Sequence, residues 1–175
     1  MSPSSSRSAI DAAISRVQSE VHSVATTVPG GYCMPILSAL VRAGFRVVVA
    51  KSEAGAALIA SGIAWETERP CLCVSITGPG VFGTMQALHG ASVNRVPLVL
   101  ISGESSLPGA TQAGDGVDGP STTQMTAPLC AWSARIDRPS ALPGALLRAV
   151  RVASFHRRPV HIAIPVHVAN AQVCA

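Results

Sequence analysis

An acidic residue, Glu53, stands at the junction between an apolar run and a stretch of small residues. The run covers residues 45–50, and the small residues occupy 54–57. A carboxyl group that small apolar neighbours shield from water keeps its proton more readily than an exposed one, so it can hold or donate that proton in a reaction. An acid in the first turn of a helix is also stabilised by the helix dipole without any catalytic role. Glu53 is therefore a candidate acid–base residue, and its position alone leaves both interpretations open.

A glycine-rich turn is the second candidate. Gly78–Gly83 reads G-P-G-V-F-G and matches the G-x-G-x-x-G pattern of dinucleotide-binding turns, with Glu104 about 20 residues further on. Pro79 removes one of the N–H groups that would bind a pyrophosphate. The motif also falls in the third or fourth strand–helix unit, whereas a dinucleotide motif normally opens the fold. A nicotinamide site remains an alternative, and a tight turn that packs helix against strand is the simpler interpretation.

The remaining acids, histidines and cysteines form no pattern typical of a catalytic or metal site. Gly114-Asp115-Gly116 and Asp118 would need further oxygen ligands to hold a hard cation, and the sequence offers no obvious one. Hydrolase, zinc-protease and phosphate-loop motifs do not occur. His161 and His167 flank the last predicted strand and are expected at the surface or rim. The five cysteines, an odd number, predict neither a disulfide framework nor a zinc knuckle.

These residues are positioned by strands that alternate with helices. Strands are predicted over about 24–28, 45–50, 71–76, 96–102, 132–136 and 160–164, and helices over about 8–22, 35–44, 51–67, 78–94, 122–127 and 141–155. Several strands are continuous apolar runs, which indicates an α/β domain with a mostly parallel sheet of about six strands and helices on both faces. Ligands of such sheets bind at the carboxyl ends of the strands. The loops expected to carry the site are 28–34, 51–54, 77–83 and 103–121.

The amino-acid composition excludes several classes of protein. The chain has 175 residues, of which 48% are hydrophobic and 13% charged, so it is predicted to fold as one domain over residues 9–170, with a flexible start (1–8) and a tail (171–175). Aromatic residues are only 3% and the arginines are scattered, so no nucleic-acid partner is expected. There is neither an apolar stretch of about 20 residues nor an apolar signal-peptide core, so no membrane partner and a cytoplasmic location are expected. The mean hydropathy of +0.40 suggests that some apolar surface meets another chain.

Five short segments of the chain resemble motifs that occur in the same order in one enzyme family. Val28-Pro29-Gly30 resembles an early V-P-G turn, and Ser52–Ala57 resembles an H-E-x-G-A-A motif. Thr77–Gly80 is similar to an S-G-P-G loop. Residues 93–103 resemble a segment that ends in x-P-L-V-x-I-x-G, and residues 125–132 resemble the stretch before P-x-T-K-W. Over about residues 8–170 the chain thus resembles the pyrimidine-binding (PYR) domain of thiamine diphosphate enzymes of the acetolactate synthase, pyruvate oxidase and benzaldehyde lyase group.

This resemblance implies a cofactor and a role for each matching residue. Glu53 would hydrogen-bond to N1′ of the aminopyrimidine of thiamine diphosphate and, by proton transfer there, activate the cofactor for attack on a 2-oxo acid. The residues implied to line the pyrimidine pocket are Pro29, Gly30, Thr77, Gly80 and Gly83. Tyr32 and Cys33 occupy a loop where some relatives carry a catalytic histidine, so they could shape the substrate pocket.

The chain also departs from the family pattern. Family enzymes are much longer and carry a diphosphate-binding (PP) domain that holds magnesium through a G-D-G motif followed by an asparagine. No asparagine follows Gly114-Asp115-Gly116 at that spacing, since the only ones are Asn94 and Asn170, and this G-D-G is interpreted as a coincidence. A separate PP subunit that brings Mg²⁺ is therefore expected, in a heterotetramer or larger hetero-oligomer. Ser52 replaces the family's histidine, and Gly83 stands where the family often has asparagine.

The function expected on this basis is that of the PYR subunit of a split thiamine diphosphate enzyme. It would decarboxylate a small 2-oxo acid and could ligate the product to a second carbonyl compound. One alternative is a non-catalytic scaffold or regulatory subunit of such an enzyme, which the changes at Ser52 and Gly83 leave open. The other is the nicotinamide dinucleotide-binding domain that would use Gly78–Gly83.

Overall fold

The computed structural model describes residues 7–106 and 121–173. The strands are β1 (Arg7–Ser8), β2 (Val24–Thr27), β3 (Arg46–Val49), β4 (Cys71–Ile76), β5 (Leu98–Glu104), β6 (Trp132–Arg135), β7 (Val160–Pro165) and β8 (Gln172–Val173). The α-helices are α1 (Ala9–Val17), α2 (Met34–Arg42), α3 (Glu53–Thr67), α4 (Pro79–Val93), α5 (Thr122–Thr126), α6 (Leu142–His156) and α7 (Val166–Asn170). Short 3₁₀ turns at Gly31–Cys33 and Pro139–Ala141 precede α2 and α6.

Six of the strands form one parallel sheet in the order β3-β2-β4-β5-β7-β6. The predicted α/β fold, with a mostly parallel sheet of about six strands and helices on both faces, is confirmed. From β2 the chain first adds β3 on one side of the sheet and then β4 on the other. The loops that leave β2 and β4 therefore diverge. Such a reversal opens a crevice at the carboxyl edge, where sheets of this kind bind ligands.

Alternate residues of the central strands build two separate cores. Leu72 and Val74 of β4 pack with α1, α2, α6 and α7 on one face of the sheet. Cys71 and Cys73 lie on the other face and pack with α3 and α4. The central strands are continuous apolar runs because both of their faces are buried. Glu53 is the first residue of α3 and therefore lies on the side of the sheet that α3 and α4 cover.

The two ends of the described chain pair with each other. Arg7 lies opposite Val173 and Ser8 opposite Gln172 in an antiparallel pair, and the amide of Ala9 donates to the carbonyl of residue 171 at 2.8 Å. The sequence predicted a flexible start through residue 8 and a tail from residue 171. The structure differs at the inner ends of both segments, because backbone hydrogen bonds join them to the folded unit. Residues 1–6 and 174–175 lie outside the described residues.

Two helices differ from the expected course. The first was predicted to reach about His22, whereas α1 ends at Val17. Beyond it, the guanidinium of Arg69 donates to the carbonyl oxygens of Ser19 and Val21 at 2.7 and 2.9 Å, so that tertiary contacts bind this segment in a non-helical form. The short helix α7 follows β7 and was not predicted. Within residues 7–106 and 121–173, no helix combines the length and the apolar character needed to cross a membrane.

The side chain of His161 on β7 is fully buried at the centre of a polar network. Its Nε2 lies 2.9 Å from Ser102 Oγ and its Nδ1 lies 2.8 Å from Thr126 Oγ1. The hydroxyl of Thr126 in turn lies 2.7 Å from that of Ser133. The prediction of a surface or rim position is wrong for His161, because α5 covers the sheet face to which it points. His167 is exposed, as predicted.

Burial lowers the pKa of His161 to about 3 from its ordinary value of 6.5. Between these values the unfolded chain binds a proton that the folded chain does not, so the free energy of unfolding is largest above pH 6.5 and falls as the pH falls toward 3. We expect a loss of about 1.5 kcal/mol between pH 6.5 and about pH 5, measured by urea titration at each pH. The variant His161→Asn should lose this slope and His167→Asn should keep it. An unchanged free energy across this range in the native chain would contradict the assignment.

Candidate active site

Three loops meet at the carboxyl edge of the sheet, after β2, β3 and β4. A Cβ added at Gly30, after β2, would lie 2.5 Å from Ile76 Cγ2, and one added at Gly80, after β4, would lie 2.7 Å from Ile76 Cγ1. A Cβ at Gly83 would lie 3.0 Å from the Cβ of Glu53, which follows β3. The structure thus brings together four of the predicted site residues. At the three glycines among them, a larger residue would fit only if a neighbouring side chain moved.

The carboxylate of Glu53 is half-buried and has no hydrogen-bond or ion-pair partner in the described part of the chain. Ser52 caps α3, since its Oγ accepts a hydrogen bond from the amide of Gly55 at 3.1 Å, and Glu53 is the first helical residue. Among residues 7–106 and 121–173, none forms a hydrogen bond or ion pair with the Glu53 carboxylate. Polar groups shielded from water normally have hydrogen-bond partners. The oxygens of this acid are therefore available to a ligand.

Glu53 lies between β4 and the first turns of α4. Burial raises the pKa of Cys73, on β4, to about 12, and the negative charge of Glu53 contributes to that rise. On the other side, a Cβ at position 83 would come within 3.5 Å of Glu53 Oε2. Because residue 83 is a glycine, the Glu53 carboxylate has room to lie against α4.

Thr77, Gly78 and Pro79 form the turn that leads from β4 into α4. Gly78 has a φ of +62°, which favours glycine, and Pro79 starts α4, where its missing N–H costs nothing. Thr77 is buried; its amide donates to the Gly103 carbonyl at 3.0 Å, and its hydroxyl donates to Glu104 Oε1 at 3.4 Å. The side chain of Thr77 is thus bound within the protein, and its contribution to a ligand site is to shape the turn.

The turn after β2 places Tyr32 and Cys33 in different surroundings. The sulfur of Cys33 is buried, donates to the Gly30 carbonyl at 3.1 Å and accepts from the Gly30 amide at 3.2 Å. Burial raises the pKa of this thiol. Tyr32 is half-buried, with its backbone against Gly103, and Pro29 is exposed. Of the two residues expected to shape a substrate pocket, Tyr32 keeps access to the edge, whereas Cys33 holds the turn together.

Comparison with known proteins identifies the family of this chain. The family model "Thiamine pyrophosphate enzyme, N-terminal TPP binding domain" matches residues 8–125. The chain belongs to the thiamine pyrophosphate enzyme family. Thiamine pyrophosphate is thiamine diphosphate, so the resemblance inferred from the motifs is confirmed, and the chain is a PYR domain of this family.

Two curated relatives and one solved structure show how far the similarity extends. A probable 2-ketoarginine decarboxylase of Pseudomonas aeruginosa is 37% identical over 151 residues, which are 83% of this chain and 26% of the relative. The acetolactate synthase isozyme 1 large subunit of Escherichia coli is 29% identical over 150 residues, 85% of this chain and 26% of the relative. The structure of a putative thiamin diphosphate-dependent enzyme of Mycobacterium smegmatis matches 97% of this chain and 33% of its own at a TM-score of 0.85 and 23% identity. The chain therefore spans a quarter to a third of the length of these proteins.

One cluster in this PYR domain was missed by reasoning from the sequence. Glu104, at the end of β5, is buried; it accepts a hydrogen bond from Thr122 Oγ1 at 2.7 Å and forms an ion pair with Arg135. Arg135 also donates from Nε to Asp137 at 2.7 Å. The partners of Glu104 are 18 and 31 residues away in the chain, so no local pattern indicates them. Because protein groups occupy this carboxylate, the glycine turn is not accompanied by a free acid for a ribose, as a dinucleotide site would require.

No metal centre is found in the described part of the PYR domain. Within the two described ranges, no group of three His, Cys, Asp or Glu side chains could hold a metal ion. The Gly114-Asp115-Gly116 turn and Asp118 lie outside those ranges. A groove of about 930 Å³ runs between α1 and the start of α6, lined in part by Arg7 and Arg16. It contains none of the predicted site residues, because α1 and α6 cover the sheet face opposite to Glu53.

Proposed function

We propose that this chain supplies the aminopyrimidine half of a thiamine diphosphate site and that Glu53 exchanges a proton with N1′ of the ring. The observation that carries the proposal is the half-buried Glu53 carboxylate, which has no partner within residues 7–106 and 121–173 and lies against Gly83 at the carboxyl edge. These residues fit a flat aminopyrimidine. Glu53 offers its free oxygens, Gly83 lies against it without a side chain, and the glycines at 30 and 80 keep the neighbouring turns free of side chains.

Glu53 is suited to this role by its position. Ser52 fixes the start of α3, so the Glu53 backbone is held where the helix begins. The neighbouring β4 and α4 shield one side of the carboxylate from water. This shielding favours transfer of a proton to a ring nitrogen over its loss to solvent. When bound, thiamine diphosphate supplies an electron sink for cleavage of the bond beside a 2-oxo group. Pro29, Gly30, Thr77, Gly80 and Gly83 shape the surface that receives the ring.

The reaction proposed is decarboxylation of a small 2-oxo acid, with ligation of the product to a second carbonyl compound as a further step. The names of the relatives support this choice, since they include a 2-ketoarginine decarboxylase, acetolactate synthases and an oxalyl-CoA decarboxylase. Tyr32 is the residue of this chain best placed to contact such a substrate, because it is half-buried in the turn after β2.

We further propose that a separate PP subunit completes the site, holds the diphosphate and Mg²⁺, and assembles with this chain into a hetero-oligomer. Exposed apolar side chains beside the site support a covering protein surface: Met34 begins α2, Val49 ends β3 and Phe82 precedes Gly83, and each is at least 47% exposed. Exposed apolar groups that cluster around a ligand edge are typical of interaction sites. The PP subunit would bury them together with the cofactor.

Reconstitution tests the proposal. The chain is mixed with a polypeptide encoded beside it that carries a G-D-G motif followed by asparagine, together with thiamine diphosphate and Mg²⁺. Consumption of pyruvate and of 2-ketoarginine is then followed. We expect turnover only in the full mixture. Equal turnover by the second polypeptide alone would favour the scaffold alternative, and binding of NAD by the isolated chain would favour the nicotinamide alternative.

A further inference from the structure

Within residues 7–106 and 121–173, Glu104 is an acid that the sequence pattern singled out and the proposed function leaves without a role. Its carboxylate is buried at the carboxyl end of β5, next to β4 in the sheet. Three side chains from three other segments converge on it: Thr77 after β4, Thr122 of α5 and Arg135 of β6. A carboxylate shielded from water in this way persists only when it is paired and hydrogen-bonded. Glu104 is therefore a cross-link between four parts of the carboxyl edge.

Thr77 connects this cross-link to the candidate active site. It is the last residue before Gly78, whose φ of +62° sets the direction of the turn into α4. The amide of Phe82 donates to the Gly78 carbonyl at 3.0 Å, and Gly83 then lies against Glu53. The position of the first turn of α4 relative to Glu53 thus depends on where Thr77 is held.

We propose that Glu104 is a positioning residue for the aminopyrimidine site: paired with Arg135, it anchors Thr77 and so sets the distance between the Gly78–Gly83 turn and Glu53. The effect of this role on catalysis rests on the proposed function. The effect of Glu104 on the position of the turn does not. Arg135 is held in turn by Asp137 and by the backbone carbonyl of residue 105, so the anchor has its own support.

The structural part is tested by amide hydrogen exchange on the chain itself. Glu104→Gln keeps the size of the side chain and an acceptor for Thr77 but removes the charge that pairs with Arg135. We expect exchange at the Phe82 amide to become about tenfold faster, while exchange at the Asn94 amide, at the far end of α4, changes less than about twofold. Thr77→Val, which removes only the hydroxyl that bonds to Glu104, should act in the same direction if Glu104→Gln fails to fold. Equal changes at both amides, or none, would overturn the inference.

The functional part is tested in the reconstituted mixture. Glu104→Gln is expected to raise the KM for thiamine diphosphate about tenfold, and the double variant Glu104→Gln with Arg135→Gln to add little, because both changes remove the same ion pair. Asp11→Asn is the matched control, since it removes an acid paired with Arg42 on the opposite face of the sheet and should leave this KM unchanged. An unchanged KM in Glu104→Gln refutes the positioning role. Absence of turnover in the unmodified mixture refutes the proposed function instead, and the exchange experiment still decides the structural part.

Discussion

Replacement of Glu53 by glutamine is expected to reduce turnover in the reconstituted mixture about 10³-fold, because the amide cannot exchange a proton with the ring nitrogen. The stability of the chain should change little. The side chain is half-buried and has no hydrogen-bond or ion-pair partner in the described residues, so only its interaction with the helix dipole is lost, at a cost of about 0.5 kcal/mol. Steady-state turnover and urea unfolding of the same preparations measure the two effects separately.

Glu66 provides the matched control for this experiment. It lies in the same helix, α3, but near its end, and it is exposed. Glu66→Gln makes the same chemical change and should leave turnover within about twofold of the unmodified chain, as expected for an exposed position away from the site. Full turnover by Glu53→Gln in an active mixture would show that the acid at this position does not serve the cofactor.

Replacement of Gly103 by alanine is expected to destabilise the chain by about 3 kcal/mol or more, the largest effect on folding among these variants. Gly103 lies within β5, where a Cβ would overlap the carbonyl of Tyr32 and lie 2.7 Å from the amide nitrogen of Cys33. The obstructing atoms belong to the backbone, so no change of rotamer relieves the overlap. Either the turn that carries Tyr32 moves or β5 does.

Gly62 in α3 is the control for the change from glycine to alanine. Nothing lies within 4 Å of a Cβ added there, so Gly62→Ala should stabilise the chain by about 0.5 to 1 kcal/mol through the higher helix propensity of alanine. The midpoints of urea unfolding compare the two variants. Equal stability of Gly103→Ala and the unmodified chain would mean that the close approach of the turn to β5 is absent in solution.

The outline of the site follows from local signals. Glu53 was recognised because it follows a strand segment and precedes small residues, and Gly30, Gly80 and Gly83 because they lie in segments that resemble motifs of the PYR family. Each of these features depends on a few neighbouring residues: Ser52 caps α3 from within its own turn, and Gly78 supplies the positive φ of the turn into α4. Such requirements are visible in sequence because they concern a single turn of the backbone.

Contacts between distant segments were not visible in this way. His161 was predicted at the rim because it lies at the start of the last predicted strand, and only the packing of α5 over β7 buries it. The same holds for the ion pair of Glu104 with Arg135, which neither residue's neighbours indicate.

The sequence by itself determined the class of fold, the family and the position of the acid proposed to serve the cofactor, because strand and helix periodicity, helix caps and short motifs are encoded within a few residues. Only the tertiary structure decided which side chains meet: Gly83 against Glu53, Gly103 against the Tyr32 turn, and Glu104 among Thr77, Thr122 and Arg135. Those contacts depend on the order of strands in the sheet, and that order places residues far apart in the chain side by side at one edge.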